Sequence, residues 1–199
     1  MHYAATGAQT DIIEYILAQE LINFNPKDKR GISPIHEAAN HQNEAIVKMF
    51  LNSPKIQNKN PKDVTGQTPM HKAAAAGNAR VVSVFLTHDD ETMDKNPVDK
   101  EGSSIMHSAA YRGHDSIIEI VLNCDLVKDK NSKALDGNTP LHLAAQNGHI
   151  KVVELFLNHA QIEDKNPSDE DGVTPMDMAK SFGHHEIVQM INAKLENEN

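Results

Sequence analysis

Apolar residues gather in short clusters at three- and four-residue spacing, and the clusters recur along the chain. Ile46, Val47, Phe50 and Leu51 form one. Val81, Val82, Phe85 and Leu86 form the next, followed by Ile117, Ile118, Val121 and Leu122. Then come Ile150, Val152, Val153, Leu155, Phe156 and Leu157, and finally Ile187, Val188 and Ile191. Such spacing puts each cluster on one face of a helix. A shorter phrase precedes each of them: Ser33-Pro-Ile-His-Glu-Ala-Ala39, Thr68-Pro-Met-His-Lys-Ala-Ala74, Ser104-Ile-Met-His-Ser-Ala-Ala110, Thr139-Pro-Leu-His-Leu-Ala-Ala145 and Thr174-Pro-Met-Asp-Met-Ala-Lys180. A truncated copy opens the chain at His2-Tyr-Ala-Ala. From His2 through His36, His71, His107 and His142 to Asp177, the steps are 34, 35, 36, 35 and 35 residues. A nearly constant step of this size marks stacked repeats.

Each unit reads as helix, turn, helix and returning loop. Gly31, Gly66, Gly102, Gly137 and Gly172 mark the turns, since glycine tolerates positive φ. Two residues later stands Ser33, Thr68, Ser104, Thr139 or Thr174, placed to cap a helix N-terminus. Proline follows in every one of these copies but that of Ser104, where Ile105 stands; at the first helical position its missing N–H costs nothing. Paired alanines let neighbouring helices approach closely. His114, His149 and His184 begin second helices. Helices this short are marginal alone in water, so their apolar faces must be shared between stacked copies.

The run from Gly137 to His149, Gly-x-Thr-Pro-Leu-His-x-Ala-Ala-x-x-Gly-His, resembles the ankyrin repeat, and degenerate copies carry the resemblance over nearly the whole chain. It implies an all-α fold, an α-solenoid of antiparallel helix pairs with projecting hairpin-like loops. It also implies that the Thr and His of the phrase tie the first helix to neighbouring loops. The expected organisation is one domain, 1–199, with repeats near 1–24, 25–59, 60–95, 96–130, 131–165 and 166–199. The unit is longer than the family's, and the extra residues after the second helix are expected to extend or reshape the hairpin rim. Asp28, Asp63, Asp99 and Asp169 match the family's loop aspartate, whereas Ala134 does not. With Ile105 in place of Pro as well, the fourth and fifth units are expected to be joined less firmly. Asn25, Asn60, Asn96, Asn131 and Asn166 fall where the family's loop asparagine is a substrate for an asparaginyl hydroxylase, although most are followed by Pro.

The formal net charge of −9 argues against non-specific binding of nucleic acid or anionic lipid, which needs clustered Lys and Arg. The acidity is heaviest from Gln161 onward, where a basic partner segment and a plain solubilising end are both open readings. A single cysteine, Cys124, excludes internal disulfides and cysteine-based zinc sites. With no secretory pattern and no run able to span a membrane, the expected compartment is cytoplasmic. Most of the twelve histidines occupy repeat positions, which form rows instead of converging on one ion. Neither a catalytic nucleophile nor a phosphate-cradling loop emerges, and no catalytic, cofactor or metal residue is assigned.

The resemblance implies partner binding along a concave face, through positions that flank the loop glycine and follow the alanine pair. These are Lys29, Arg30, Asn40, His41, Lys100, Glu101, Tyr111, Arg112, Leu135, Gln146, Val173 and Phe182, with Ile32 and Val64 among their neighbours. Tyr111 and Arg112 are the sharpest candidates, because Tyr and Arg are enriched at binding hot spots. The expected function is a non-enzymatic protein–protein scaffold or adaptor with an unnamed protein partner. The alternative is a targeting or regulatory module cut from a larger enzyme or channel. A monomer is expected, and self-stacking through the first unit is a further possibility.

Overall fold

Backbone capping decides where the first helix of each repeat starts. The structure, a computed structural model, describes residues 1–19, 23–24, 26–91 and 93–197. Among these, twelve α-helices and no β-strands occur. Two compact halves divide the chain, residues 1–100 and 101–199. The first holds α1 (His2–Thr6), α2 (Thr10–Ala18), α3 (Pro34–Asn40), α4 (Glu44–Asn52), α5 (Pro69–Ala75) and α6 (Ala79–Thr87). The second holds α7 (Ile105–Arg112), α8 (Asp115–Leu122), α9 (Pro140–Gln146), α10 (Ile150–Asn158), α11 (Pro175–Ser181) and α12 (His185–Asn197). Each odd-numbered helix packs against the even-numbered helix that follows it. Within a half, odd helices also pack on odd and even on even, so both halves are stacks of helix pairs.

The core follows from that stacking. Ala38, Ala39, Ala73 and Ala74 in the first half, and Ala109, Ala110, Ala144 and Ala145 in the second, are fully buried. Their small side chains let inner helices lie close. Phe50, Phe85 and Phe156 fill the space beneath the outer helices. Ile105 is fully buried where the other copies have Pro, so the fourth repeat keeps its packing without the pre-set φ. The apolar cluster of α10 is narrower than its sequence suggests. Val152, Val153, Phe156 and Leu157 are buried, but Ile150 is exposed and Leu155 only half-buried, because they fall on the flanks of the stripe.

The chain that follows α4, α6, α8 and α10 buries an apolar residue in each case: Ile56, Met93, Val127 and Ile162. A lysine then turns onto the carbonyls at the end of the outer helix. Lys95 Nζ donates to Phe85 O and His88 O, both at 2.7 Å. Lys130 donates to Leu122 O and Cys124 O, and Lys165 to His159 O at 2.8 Å and Phe156 O at 3.3 Å. Lys130 and Lys165 are only 5% exposed. The negative end of the helix dipole and several carbonyl acceptors let an ammonium sit there.

The turn between paired helices has its own requirement. Gly113 ends α7 at φ +74°, and a Cβ there would lie 2.6 Å from His149 Nδ1. In the first half the matching positions are Ala8 at φ 53°, Gln42 at φ 60° and Gly77 at φ 76°, and one repeat on from Gln42 stands the smaller Asn78. Both kinds of side chain do the same work. His149 Nε2 reaches Tyr111 O at 3.0 Å, while Asn78 Nδ2 donates to Ala39 O at 2.7 Å and Asn40 O at 3.0 Å.

Two stability predictions follow from burial. Leu141→Ala removes a fully buried side chain and should cost about 2–5 kcal/mol, whereas half-buried Leu155→Ala should cost clearly less, about 1 kcal/mol. Lys165→Met should cost about 1–3 kcal/mol by removing the charged donor from Phe156 O and His159 O at the end of α10, each left with one backbone N–H. Urea unfolding of the three variants checks both; equal losses for Leu141 and Leu155 would refute the burial assignment.

Candidate interaction surface

The loops and inner helices are locked together by one repeated device. In each of the second to fifth repeats the histidine Nδ1 accepts the backbone N–H of the capping Ser or Thr: Ser33 to His36 and Thr68 to His71 at 3.2 Å, Ser104 to His107 and Thr139 to His142 at 3.1 Å. A nitrogen that accepts an N–H carries no proton, so the ring proton sits on Nε2. That proton points at a carbonyl of the next loop. His36 Nε2 lies 3.1 Å from Gln67 O, His107 Nε2 3.0 Å from Asn138 O, and His142 Nε2 3.1 Å from Val173 O. His2 makes the same reach to Ile32 O at 2.9 Å. Asp177 closes the cap of α11 with its carboxylate, accepting the Thr174 N–H at 3.2 Å and hydroxyl at 2.7 Å.

The loops also bond to one another through their backbones. Val64 N–H donates to Arg30 O, Lys100 N–H to Thr65 O, Leu135 N–H to Glu101 O and Glu170 N–H to Asp136 O. Asp28, Asp63 and Asp169 each accept two backbone N–H groups of their own turn. Where Ala134 replaces that aspartate, Asp136 accepts a single one, from Asn138. The loosening expected at the fourth and fifth repeats is thus confined to the turn itself. The bond between their loops, Leu135 N–H to Glu101 O, is 2.9 Å, as short as Val64 N–H to Arg30 O.

In the first half, Lys29 and Arg30 are exposed at a loop tip, Asn40 and His41 at the end of α3, and Lys100 at the last loop. Ile32 is a correction. At 8% exposure it lies under its loop, because its N–H is drawn in by the Asp28 carboxylate. A hollow of about 280 Å³ is lined by Arg30, Ile32, His36, Glu37, Asn40 and Lys72. Its charges have partners: Arg30 lies 3.1 Å from Asp28 and 4.0 Å from Glu37, and Lys72 lies 2.8 Å from Asp63. Burial works against ionisation of Asp63. The donors from Lys72, the Thr65 hydroxyl and two backbone N–H groups outweigh it and hold the carboxyl at about 2. Glu37 and Lys72 were not among the positions singled out from the sequence. The residue after each tetrapeptide histidine changes from Glu37 to Lys72, Ser108 and Leu143 while its neighbours repeat, and that variation was the available signal.

In the second half, Glu101 and Leu135 are exposed at loop tips and Val173 is half-buried before α11. Tyr111 and Arg112 end α7, Gln146 ends α9 and Phe182 follows α11, so the fold gathers them at the C-terminal ends of three packed helices. Leu135 is 70% exposed, Phe182 57% and Tyr111 49%. The Arg112 guanidinium lies 5.5 Å from the Tyr111 ring centre. Gln146 is half-buried and lends its carbonyl to His184 Nε2 at 3.0 Å. A second hollow, lined by Glu119, Leu122, Glu154, Leu155, Asn158 and His159 among others, contains none of these residues. The loop asparagines turn inward. The side-chain oxygens of Asn60, Asn96 and Asn131 are buried, and that of Asn166 accepts the Met176 N–H. Asn25 lies outside the described residues. Among the described residues no group of three His, Cys, Asp or Glu side chains is placed to hold a metal ion, and no helix is long and apolar enough to cross a membrane.

These features define a class: stacked helical repeats whose buried side chains and backbone build the frame, leaving helix ends and loop tips outward. Family comparison agrees. Ankyrin repeats in the three-copy arrangement match residues 53–134 and 124–198, and a single ankyrin repeat matches 30–61. The chain belongs to the ankyrin repeat family, whose members generally serve as protein–protein interaction modules. Among solved structures it is similar to an ankyrin repeat domain from Acinetobacter baumannii, with a TM-score of 0.78 and 23% identity over 97% of this chain and 96% of that one. No curated protein matches the sequence.

The bridging histidines make stability depend on pH. Burial lowers the pKa of His36 from 6.5 to about 4, against the pull of its bond to Gln67, and burial lowers that of His142 as well. Unfolded chain takes up protons near 6.5, and folded chain resists until about 4 at His36. Stability is therefore complete above the unfolded value and falls as pH drops through that window, with His36 alone contributing about 3 kcal/mol. Asp63, held at about 2, stays ionised throughout. Urea midpoints between about pH 7 and pH 4 test this, and His36→Phe should flatten part of the slope. A wild-type midpoint that does not move would contradict the neutral bridge.

Proposed function

We propose that the protein is a non-catalytic interaction scaffold that holds a protein partner against its loop tips and the C-terminal ends of its inner helices. One observation carries this reading. At Tyr111 and Gln146 the frame uses only the backbone carbonyl, which bonds the histidine of the next repeat. The Tyr111 side chain is left half-exposed beside exposed Arg112, and the same half also exposes Leu135 at a loop tip and Phe182 after α11. Large apolar side chains grouped on a surface and rimmed by polar residues mark a contact site. Aromatic and Arg side chains are also the types that carry binding energy.

The test separates frame from face. Tyr111→Ala with Arg112→Ala should leave thermal stability nearly unchanged, because neither side chain is buried. The double variant should lose proteins that the unaltered chain retains in quantitative affinity enrichment from its native cells. A large drop in melting temperature would make both residues part of the frame. An unchanged set of retained proteins would remove them from the face.

A further inference from the structure

Nearly all of the protein's net charge resides in its second half. Residues 101–199 hold sixteen acidic and eight basic residues, a formal −8, while residues 1–100 hold twelve and eleven, a formal −1. Several of the second half's bases are already committed. Lys130 and Lys165 are buried against helix carbonyls, Lys151 pairs with Asp115, Lys180 lies 3.7 Å from Asp177, and Lys133 donates to Ser168 O at 2.7 Å. The loop tips of this half present Glu101, Asp136, Glu170 and Asp171, all exposed, with Leu135 between them. Lys100 shares the turn of Glu101, whereas no Lys or Arg stands at Leu135 and Asp136 or at Glu170 and Asp171. Glu170 and Asp171 have no ion-pair partner among the described residues. The exposed rings of Tyr111 and Phe182 stand at the C-terminal ends of inner helices of the same half. The tips wholly within the first half, Lys29, Arg30, Val64 and Thr65, carry the opposite sign or none.

We infer that the face of residues 101–199 binds a basic peptide segment that carries an apolar anchor. Ammonium or guanidinium groups of the segment lie along the carboxylates of the loop tips, and its apolar side chain rests against one of the exposed rings, Tyr111 at the end of α7 or Phe182 after α11. Charge complementarity sets the choice of partner and speeds the encounter. The same field repels polyanions, which need a basic surface. This inference deepens the proposed function and rests on it.

The full-length chain is used to select from a displayed library of random peptides, and an enriched peptide is then synthesised and titrated by fluorescence anisotropy. Enriched sequences should be net positive with at least one large apolar residue. Their affinity should fall about tenfold or more between about 0.05 M and 0.5 M salt. Glu101→Lys with Glu170→Lys and Asp171→Lys should weaken binding about tenfold or more, whereas Lys29→Glu should leave it intact. Asp136 is kept because its carboxylate holds Asn138. Circular dichroism verifies that each variant is folded. Enrichment of neutral or acidic peptides that ignore the charge reversal but are lost in Tyr111→Ala with Phe182→Ala overturns the charge inference and leaves the face standing. A basic peptide that binds the Tyr111→Ala, Phe182→Ala variant undiminished overturns the face itself. Failure to enrich any peptide overturns both.

Discussion

A neutral imidazole shared between a helix start and the next loop is the interaction on which each half depends. In His36 and His142 one ring nitrogen accepts from the cap and the other donates to a carbonyl 31 residues further on. No other side chain offers an acceptor and a donor at opposite edges of one rigid ring. The ring thereby fixes where the inner helix begins and where the following loop sits. The loops, held in turn by backbone bonds to one another, have little freedom left. Buried alanines and phenylalanines supply most of the favourable free energy through apolar burial. The histidines supply register, which burial alone leaves undetermined.

This division of labour explains why the outward surface can differ between the two halves. The frame draws on buried groups and backbone atoms, so side chains at loop tips and helix ends vary without disturbing it. In the first half Arg30 and Lys72 form ion pairs with Asp28, Glu37 and Asp63 about the hollow. In the second they form an acidic rim with exposed rings. One architecture thus presents two chemistries.

The repeat phrases were legible because each of their residues answers a local demand. Thr139 caps, Pro140 begins a helix, His142 bridges and Ala144 with Ala145 fits a close contact, and the structure assigns all five those places. Ile32 and Leu155 were misread for a common reason: periodicity says which face a residue is on, and says little about how far the neighbouring element covers it. Glu37 and Lys72 escaped notice because the sequence does not show that a loop tip leans over the inner helix and makes a hollow there. Tyr111 and Phe182, by contrast, were expected at the surface from their repeat positions, and both are exposed.

The sequence by itself determined the class of fold, the number of repeats and the starts of the inner helices, since these rest on bonds within a few residues of one another. Tertiary structure alone decided the fate of Lys130 and Lys165, which look like solvated loop charges and are instead buried on helix carbonyls. It also decided which acidic residues remain unpaired at the surface. Such outcomes depend on which groups the folded backbone carries into reach, and linear spacing does not encode distances set by elements that pack only after the chain has closed.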